Sequence, residues 1–160
     1  MSEINYVKGD ATHPIGEGRK ILIHCCNDCV PGKWGAGFVM AISKRWPHVR
    51  NEYVKWSKGK MPAPPYKLGC VQFVKVENDI VIGNMLGQHG IGTQNKIPPI
   101  RYSAIAQCLD KVWRAAKSNN ASVHAPKFGA GLAGGKWEII EDIIVNSLCN
   151  RDISVTVYNL

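Results

Sequence analysis

The segment Ala125-Pro126-Lys127-Phe128-Gly129-Ala130-Gly131-Leu132-Ala133-Gly134-Gly135-Lys136-Trp137 limits the possible folds of this chain more than any other. It follows a strand-like run, Ser122-Val123-His124-Ala125, and opens an amphipathic run in which Ile140, Ile144 and Leu148 form the apolar face, widened by Ile139 and Ile143. Glycines at 129, 131, 134 and 135 let the backbone turn tightly and bring its N–H groups close to a bound group. A helix beginning near Gly135 is expected to add unpaired N–H donors and the positive end of its dipole. The stretch therefore reads as a phosphate cradle, with a ligand-free glycine turn as the alternative. Gly129-x-Gly131-x-x-Gly134 matches the dinucleotide fingerprint by letters, but that motif belongs to the first strand-turn-helix of a repeating unit and stands here near the end of the chain. The P-loop pattern fails, because Trp137 follows Lys136 and Ala130 takes the place of the first glycine.

An earlier segment repeats the arrangement. Lys20-Ile21-Leu22-Ile23-His24-Cys25-Cys26 is the dense apolar run of a strand covered on both faces, with His24 read as a hydrogen-bonded core histidine. It leads into the glycine-rich stretch Asn27 to Phe38, then a helix with Phe38, Ile42 and Trp46 on one face, stopped by Pro47. Two such crossings in one chain are expected to open on the same edge of a sheet. Asn27, the first polar residue after the strand, is placed to reach into a cleft there.

The remaining elements fill in a mixed α/β pattern. Ile4–Val7 reads as an edge strand ending at Gly9, with Asp10 at its mouth either as a ligand acceptor or as a turn aspartate. Residues 48–58 and 100–119 read as helices, the second buried through Ile105, Leu109, Val112 and Ala116. Residues 68–74 and 79–83 read as a hairpin joined by Glu77-Asn78, residues 84–95 as a loop over a site, and residues 154–158 as a last strand. His89, on that loop, is an acid/base option near neutral pH.

With no linker or repeat, residues 1–160 are expected to form one domain, an α/β sheet with helices on both faces. The net charge of +8 favours anionic partners, yet no basic run of five appears, which leaves nucleic acid a minority reading. Six cysteines with one Cys26-x-x-Cys29 pair make a poor zinc case, so no metal is expected and the thiols are read as reduced. No apolar window is long enough for a membrane span, and the first residues lack a signal pattern, so a cytoplasmic monomer is expected.

Val7-Lys8-Gly9-Asp10-Ala11, then His24-Cys25-Cys26-Asn27 with Gly35-Ala36-Gly37, then Gly129-Ala130-Gly131-Leu132 with Trp137-Glu138, resemble the macro domain family across the whole chain, as does the ending Val155 to Leu160. The likeness is to two branches, the ADP-ribose-1″-phosphate phosphatases and the terminal ADP-ribose protein glycohydrolases. It implies a three-layer α/β/α sandwich with a central mixed sheet that binds ADP-ribose or a derivative, ADP-ribosylated macromolecules included, without a cofactor. By that resemblance, Asp10 and the Ala11 backbone meet the adenine, with Tyr158 beside it. Gly35, Ala36 and Gly37 and the run Gly129, Ala130, Gly131, Leu132 and Ala133 clasp the diphosphate and distal ribose, and Asn27 meets the ribose hydroxyls. Gly9, Trp34 and Phe128 flank these positions and complete the set. Phe38-Val39-Met40 stands where one hydrolase branch carries an aspartate, and Asn84-Met85 and Ala133 stand where the glycohydrolases carry a lysine and an aspartate. A lysine-bound intermediate is therefore not expected. The activity implied is hydrolysis of ADP-ribose-1″-phosphate, with Asn27 positioning and Asp28 or His89 moving a proton; the alternative is a reader that binds without turnover.

Overall fold

The computed structural model describes residues 3–160. In chain order the elements are β1 (Asn5–Lys8), β2 (Lys20–Asn27), α1 (Val39–Arg45), α2 (His48–Ser57), β3 (Val71–Glu77), β4 (Ile80–Gln88), α3 (Tyr102–Asn119), β5 (Ser122–Pro126), α4 (Trp137–Ser147) and β6 (Val155–Asn159). The strands make one sheet in the order β1-β6-β5-β2-β4-β3, parallel throughout except for β3, which pairs antiparallel with β4.

Alternation along the central strand β2 builds the three layers. Ile21 and Ile23 enter a core shared with α3 and α4, while Leu22 and Cys26 enter a second core shared with α1 and α2. Both faces are covered, which is why the run is apolar at successive positions. The stripe Ile105, Leu109, Val112 and Ala116 of α3 is fully buried, as its spacing predicts. Ile140 and Ile144 of α4 and Leu148 just beyond it are buried, but Ile139 lies 40% exposed, so the apolar face is narrower than the residue pattern suggests.

The largest departure from the sequence reading is in β4. Residues 84–88, expected in a loop, continue the strand, pairing with Cys25 and Cys26 of β2 on one side and, through Asn84 and Met85, with β3 on the other. Asn84 looks out of place in a core strand, yet its side chain meets His24 Nε2 at 2.5 Å and donates to Gln72 Oε1 at 3.0 Å. Satisfied polar side chains can be buried, so a polar letter did not end the strand. β3 likewise begins at Val71, and the hairpin turn falls at Asn78-Asp79. Among the described residues no helix is long and apolar enough to cross a membrane.

Candidate functional site

Because β2 and β5 are parallel neighbours, the loops that leave their carboxyl ends lie side by side. Between them lies a cleft of about 980 Å³. Its walls carry Asn27, Trp34, Gly35, Ala36 and Gly37 from the first loop and Phe128, Gly129, Gly131, Leu132 and Ala133 from the second. The loops approach each other at the top: a Cβ on Gly37 would stand 3.6 Å from Leu132 Cδ1.

The first loop is held by side chains. Asn27 is buried; its Oδ1 accepts from the Cys29 N–H (3.2 Å), the Lys33 N–H (3.1 Å) and the Tyr53 hydroxyl (3.0 Å), and its Nδ2 donates to Lys33 O (2.8 Å). Tyr66 braces the same turn by donating to Cys29 O at 2.6 Å, and Ser57 accepts from the Gly32 N–H at 2.8 Å. Trp34 donates to Ser43 Oγ at 2.7 Å and meets the edge of His24, ring centres 5.5 Å apart. Asn27 therefore pins the loop, with most of its hydrogen-bonding capacity spent there.

The second loop is held mainly by its own backbone, with the Tyr102 hydroxyl as an outside tie. The Gly135 N–H donates to Gly129 O at 2.7 Å, the Gly134 N–H to Gly131 O at 3.0 Å, and the Lys136 N–H to the Tyr102 hydroxyl at 2.9 Å. This corrects the expectation of unpaired donors at a helix starting near Gly135: α4 begins at Trp137, and the amides before it are already engaged. The donors left over lie earlier. Among the described residues, the N–H groups of Trp34 to Phe38 and of Gly129 to Ala133 have no internal acceptor.

The electrostatics of the cleft are one-signed. Lys33, Arg50, Lys58 and Lys127 line it, and no Asp or Glu does. Lys33, Arg50 and Lys58 form no ion pair among the described residues. The thiols nearby are not nucleophiles at neutral pH, because burial pushes Cys25 up to about 12 and Cys26 upward as well. Burial likewise pulls His24 down to about 4, partly opposed by its bond to Asn84, so it sits neutral beneath Trp34.

Asp28 and His89 meet at the neighbouring rim. Asp28 Oδ2 lies 2.8 Å from His89 Nδ1, and its Oδ1 accepts from the Gly90 N–H at 2.8 Å. His89 is exposed, and its main chain is held by a bond from its N–H to Pro99 O at 2.8 Å. The pair does not line the cleft itself, although Gln88, Ile91 and Gly92 beside it do.

Such an arrangement of a parallel sheet, two glycine loops at adjacent strand ends and an acid-free trough can be compared with known proteins. No protein-family model matches the chain. A solved macrodomain protein from Streptomyces coelicolor is 44% identical, with 99% of each chain covered and a TM-score of 0.86. The chain belongs to the macrodomain family. The mouse chromodomain-helicase-DNA-binding protein 1-like is 32% identical over 98% of this macrodomain, which spans only 18% of that relative. An ADP-ribose 1″-phosphate phosphatase of Candida albicans is 28% identical over 88% of this chain and 91% of its own length.

Other residues singled out in the sequence stand apart from the macrodomain's cleft lining: Gly9, Asp10, Ala11, Ala130 and Tyr158. Asp10 forms a tight turn, its Oδ1 accepting from the Thr12 N–H at 2.8 Å and the Thr12 hydroxyl at 2.7 Å. Partial burial would raise its carboxyl, but those two bonds outweigh it and hold the group below its usual value. Tyr158 is buried beneath that segment. Sequence reasoning missed Tyr53 and Tyr66 as loop supports, and Arg50, Val54 and Lys58 as one wall. Two signals were available: a tyrosine on an apolar helix face needs a partner for its hydroxyl, and spacing by four puts 50, 54 and 58 on one side of α2.

Proposed function

We propose that this macrodomain binds ADP-ribose in the cleft, diphosphate between the glycine loops and adenosine toward Asp10, and hydrolyses ADP-ribose-1″-phosphate to ADP-ribose and phosphate. The observation that carries the reading is the trough itself: two runs of backbone donors without internal acceptors, four cations and no carboxylate. A dinegative linker is stabilised by such donors in a partly dehydrated site, whereas a cationic or neutral ligand gains little there. The similarity to the Candida phosphatase supports the substrate.

For turnover, the Asp28 carboxylate would orient the His89 imidazole through Nδ1 and leave Nε2 to take a proton from an attacking water. Water then attacks phosphorus, the bond from phosphorus to the ribose oxygen breaks, protonated His89 returns its proton to that departing oxygen, and the loop amides stabilise the phosphoryl charge. The second reading is a reader of ADP-ribosylated macromolecules, or one that releases the ADP-ribosyl group. Two placements favour it: the Asp28–His89 pair lies outside the cleft lining, and Asn27 is committed to its loop.

Calorimetry with ADP-ribose and phosphate release from ADP-ribose-1″-phosphate test both. Release that drops at least tenfold in His89→Ala and Asp28→Asn, with ADP-ribose affinity kept, supports the hydrolase. Binding without release supports the reader, and no binding removes both.

A further inference from the structure

Beneath the segment joining β1 to β2, polar groups run in a row through β6 and β5, buried at Tyr158 and His124 and reaching the surface at Ser122. The Ile15 N–H donates to the Tyr158 hydroxyl at 2.9 Å. That hydroxyl lies 2.7 Å from His124 Nδ1, His124 Nε2 lies 2.8 Å from Ser122 Oγ, and Ser122 Oγ lies 3.4 Å from Arg19 O. The direction of the chain follows from its ends. A backbone N–H only donates and a carbonyl only accepts, so Tyr158 accepts from Ile15 and gives its own proton to His124. Nδ1 then accepts, Nε2–H donates to Ser122, and the Ser122 hydroxyl points to Arg19 O. One neutral tautomer of His124 satisfies every member. His124 and Tyr158 are both nearly inaccessible, so breaking the link between them leaves a buried group without a partner, whereas the link from Ser122 to Arg19 lies exposed.

The segment above has a second anchor. The Arg45 guanidinium donates to Thr12 O and is itself held by Glu77 at 2.8 Å. Between Thr12 and Ile15 the chain is thus tied down at two points, from α1 and from β6. Asp10 enters this clamp through its two bonds to Thr12, which occupy Oδ1, while among the described residues Oδ2 pairs only with His13, at 3.6 Å.

We infer that Tyr158 and His124 are positioning residues that hold the Asp10–Ile15 segment in the one conformation presenting Asp10 Oδ2 to the base, and so set a preference for adenine. The inference rests on the ADP-ribose reading above. An amino group on the base donates to that oxygen, whereas a carbonyl in the same place sets two acceptors against each other. A fixed acceptor rejects the wrong base strongly, and a mobile one turns aside and accommodates it.

The charged and titratable neighbours of the row bear on its tautomer. Burial disfavours a proton on His124, and Lys20 on β2 acts in the same direction, so the acceptor at Nδ1 persists through neutral pH. The Tyr158 hydroxyl stays protonated because burial raises it, an effect the bond from Ile15 only partly offsets.

The test is calorimetry of the whole protein with two probes, ADP-ribose and its hypoxanthine analogue, in which a carbonyl replaces the amino group. The wild type is expected to prefer ADP-ribose. In Tyr158→Phe and His124→Leu that preference should shrink about five- to tenfold, through weaker ADP-ribose binding with the analogue nearly unchanged. His124→Asn, whose Oδ1 can stand in for Nδ1 as the acceptor, should retain most of it. An unchanged preference in Tyr158→Phe, or an equal weakening of both probes, overturns the positioning role. If His124→Leu does not fold, Tyr158→Phe alone decides. A wild type that binds both probes equally also overturns it while leaving the ADP-ribose reading intact, whereas one that binds neither removes that reading first.

Discussion

The two glycine loops look alike in sequence and are stabilised in opposite ways. The 27–38 loop is fastened from outside: Asn27 gathers its turn, and Tyr53, Tyr66 and Ser57 brace it from α2 and the connector beyond. The 128–136 loop is fastened mainly from within and by sterics, with outside ties only from the Tyr102 hydroxyl and the Ile100 N–H among the described residues. Gly129 has φ +77°, and a Cβ there would stand 2.8 Å from Ile100 Cδ1; a Cβ on Gly135 would stand 2.5 Å from Gly129 O. One loop depends chiefly on side-chain bonds, the other chiefly on backbone bonds and the absence of side chains. Both leave a run of backbone donors without internal acceptors at residues that, Ala130 apart, line the cleft. What unites the loops is therefore the exposed backbone, and glycine content alone says nothing about how each is held.

The sharpest way to break this contrast is Gly135→Ala. Its new methyl meets a backbone oxygen that cannot swing aside, and the Gly135-to-Gly129 bond is lost as the chain retreats. A destabilisation of about 3 kcal/mol or more is expected in urea unfolding, with loss of ADP-ribose binding.

Next comes acidification, because each feeding strand carries a buried neutral histidine, His24 on β2 and His124 on β5. Burial holds both at about 4 in the folded chain, against about 6.5 when unfolded. Between those values the unfolded chain takes up the proton and the folded chain does not, so stability falls as pH drops from about 6.5 to about 4. The loss is at most about 3 kcal/mol per histidine, and its source is exhausted below that window. Unfolding free energies across this range in His124→Asn should show about half the wild-type slope; an unchanged slope would mean His124 does not contribute.

Asn27→Ala is expected to cost about 2–3 kcal/mol, since the Lys33 and Cys29 amides lose their acceptor while Tyr53 keeps Asn27 O at 2.6 Å. Amide exchange should quicken at residues 29–35 and not at 128–136, whereas quickening at both would deny the separate fastening. The smallest effect is predicted for Gly35→Ala and Gly131→Ala. Nothing lies within 4 Å of the added methyl at either position, so stability should change by less than about 0.5 kcal/mol.

Much of this was legible in the residues. The apolar run of β2, the stripe of α3 and the two strand-to-glycine crossings each follow from local spacing, and spacing is a property of the chain alone. So does the shared edge, because parallel strands that need crossovers send their following loops to the same side. Other features depended on partners far away in sequence. β4 reaches Gln88 because His24 and Gln72 satisfy Asn84, a condition no window around Asn84 contains. Asn27 lines the cleft, but its commitment to its own loop depends on Tyr53 of α2, a partner outside any local window. The dyad of Asp28 and His89, 61 residues apart, exists only because β2 and β4 are neighbours in the sheet. Apart from the second half of β4, the sequence by itself determined which segments are strands, helices and glycine turns, because those follow from short-range geometry and hydrophobic periodicity. Only the tertiary structure decided which polar side chains hold the scaffold and which backbone donors remain for a ligand, because hydrogen bonds are allotted among groups that folding alone brings within 3 Å or so of one another.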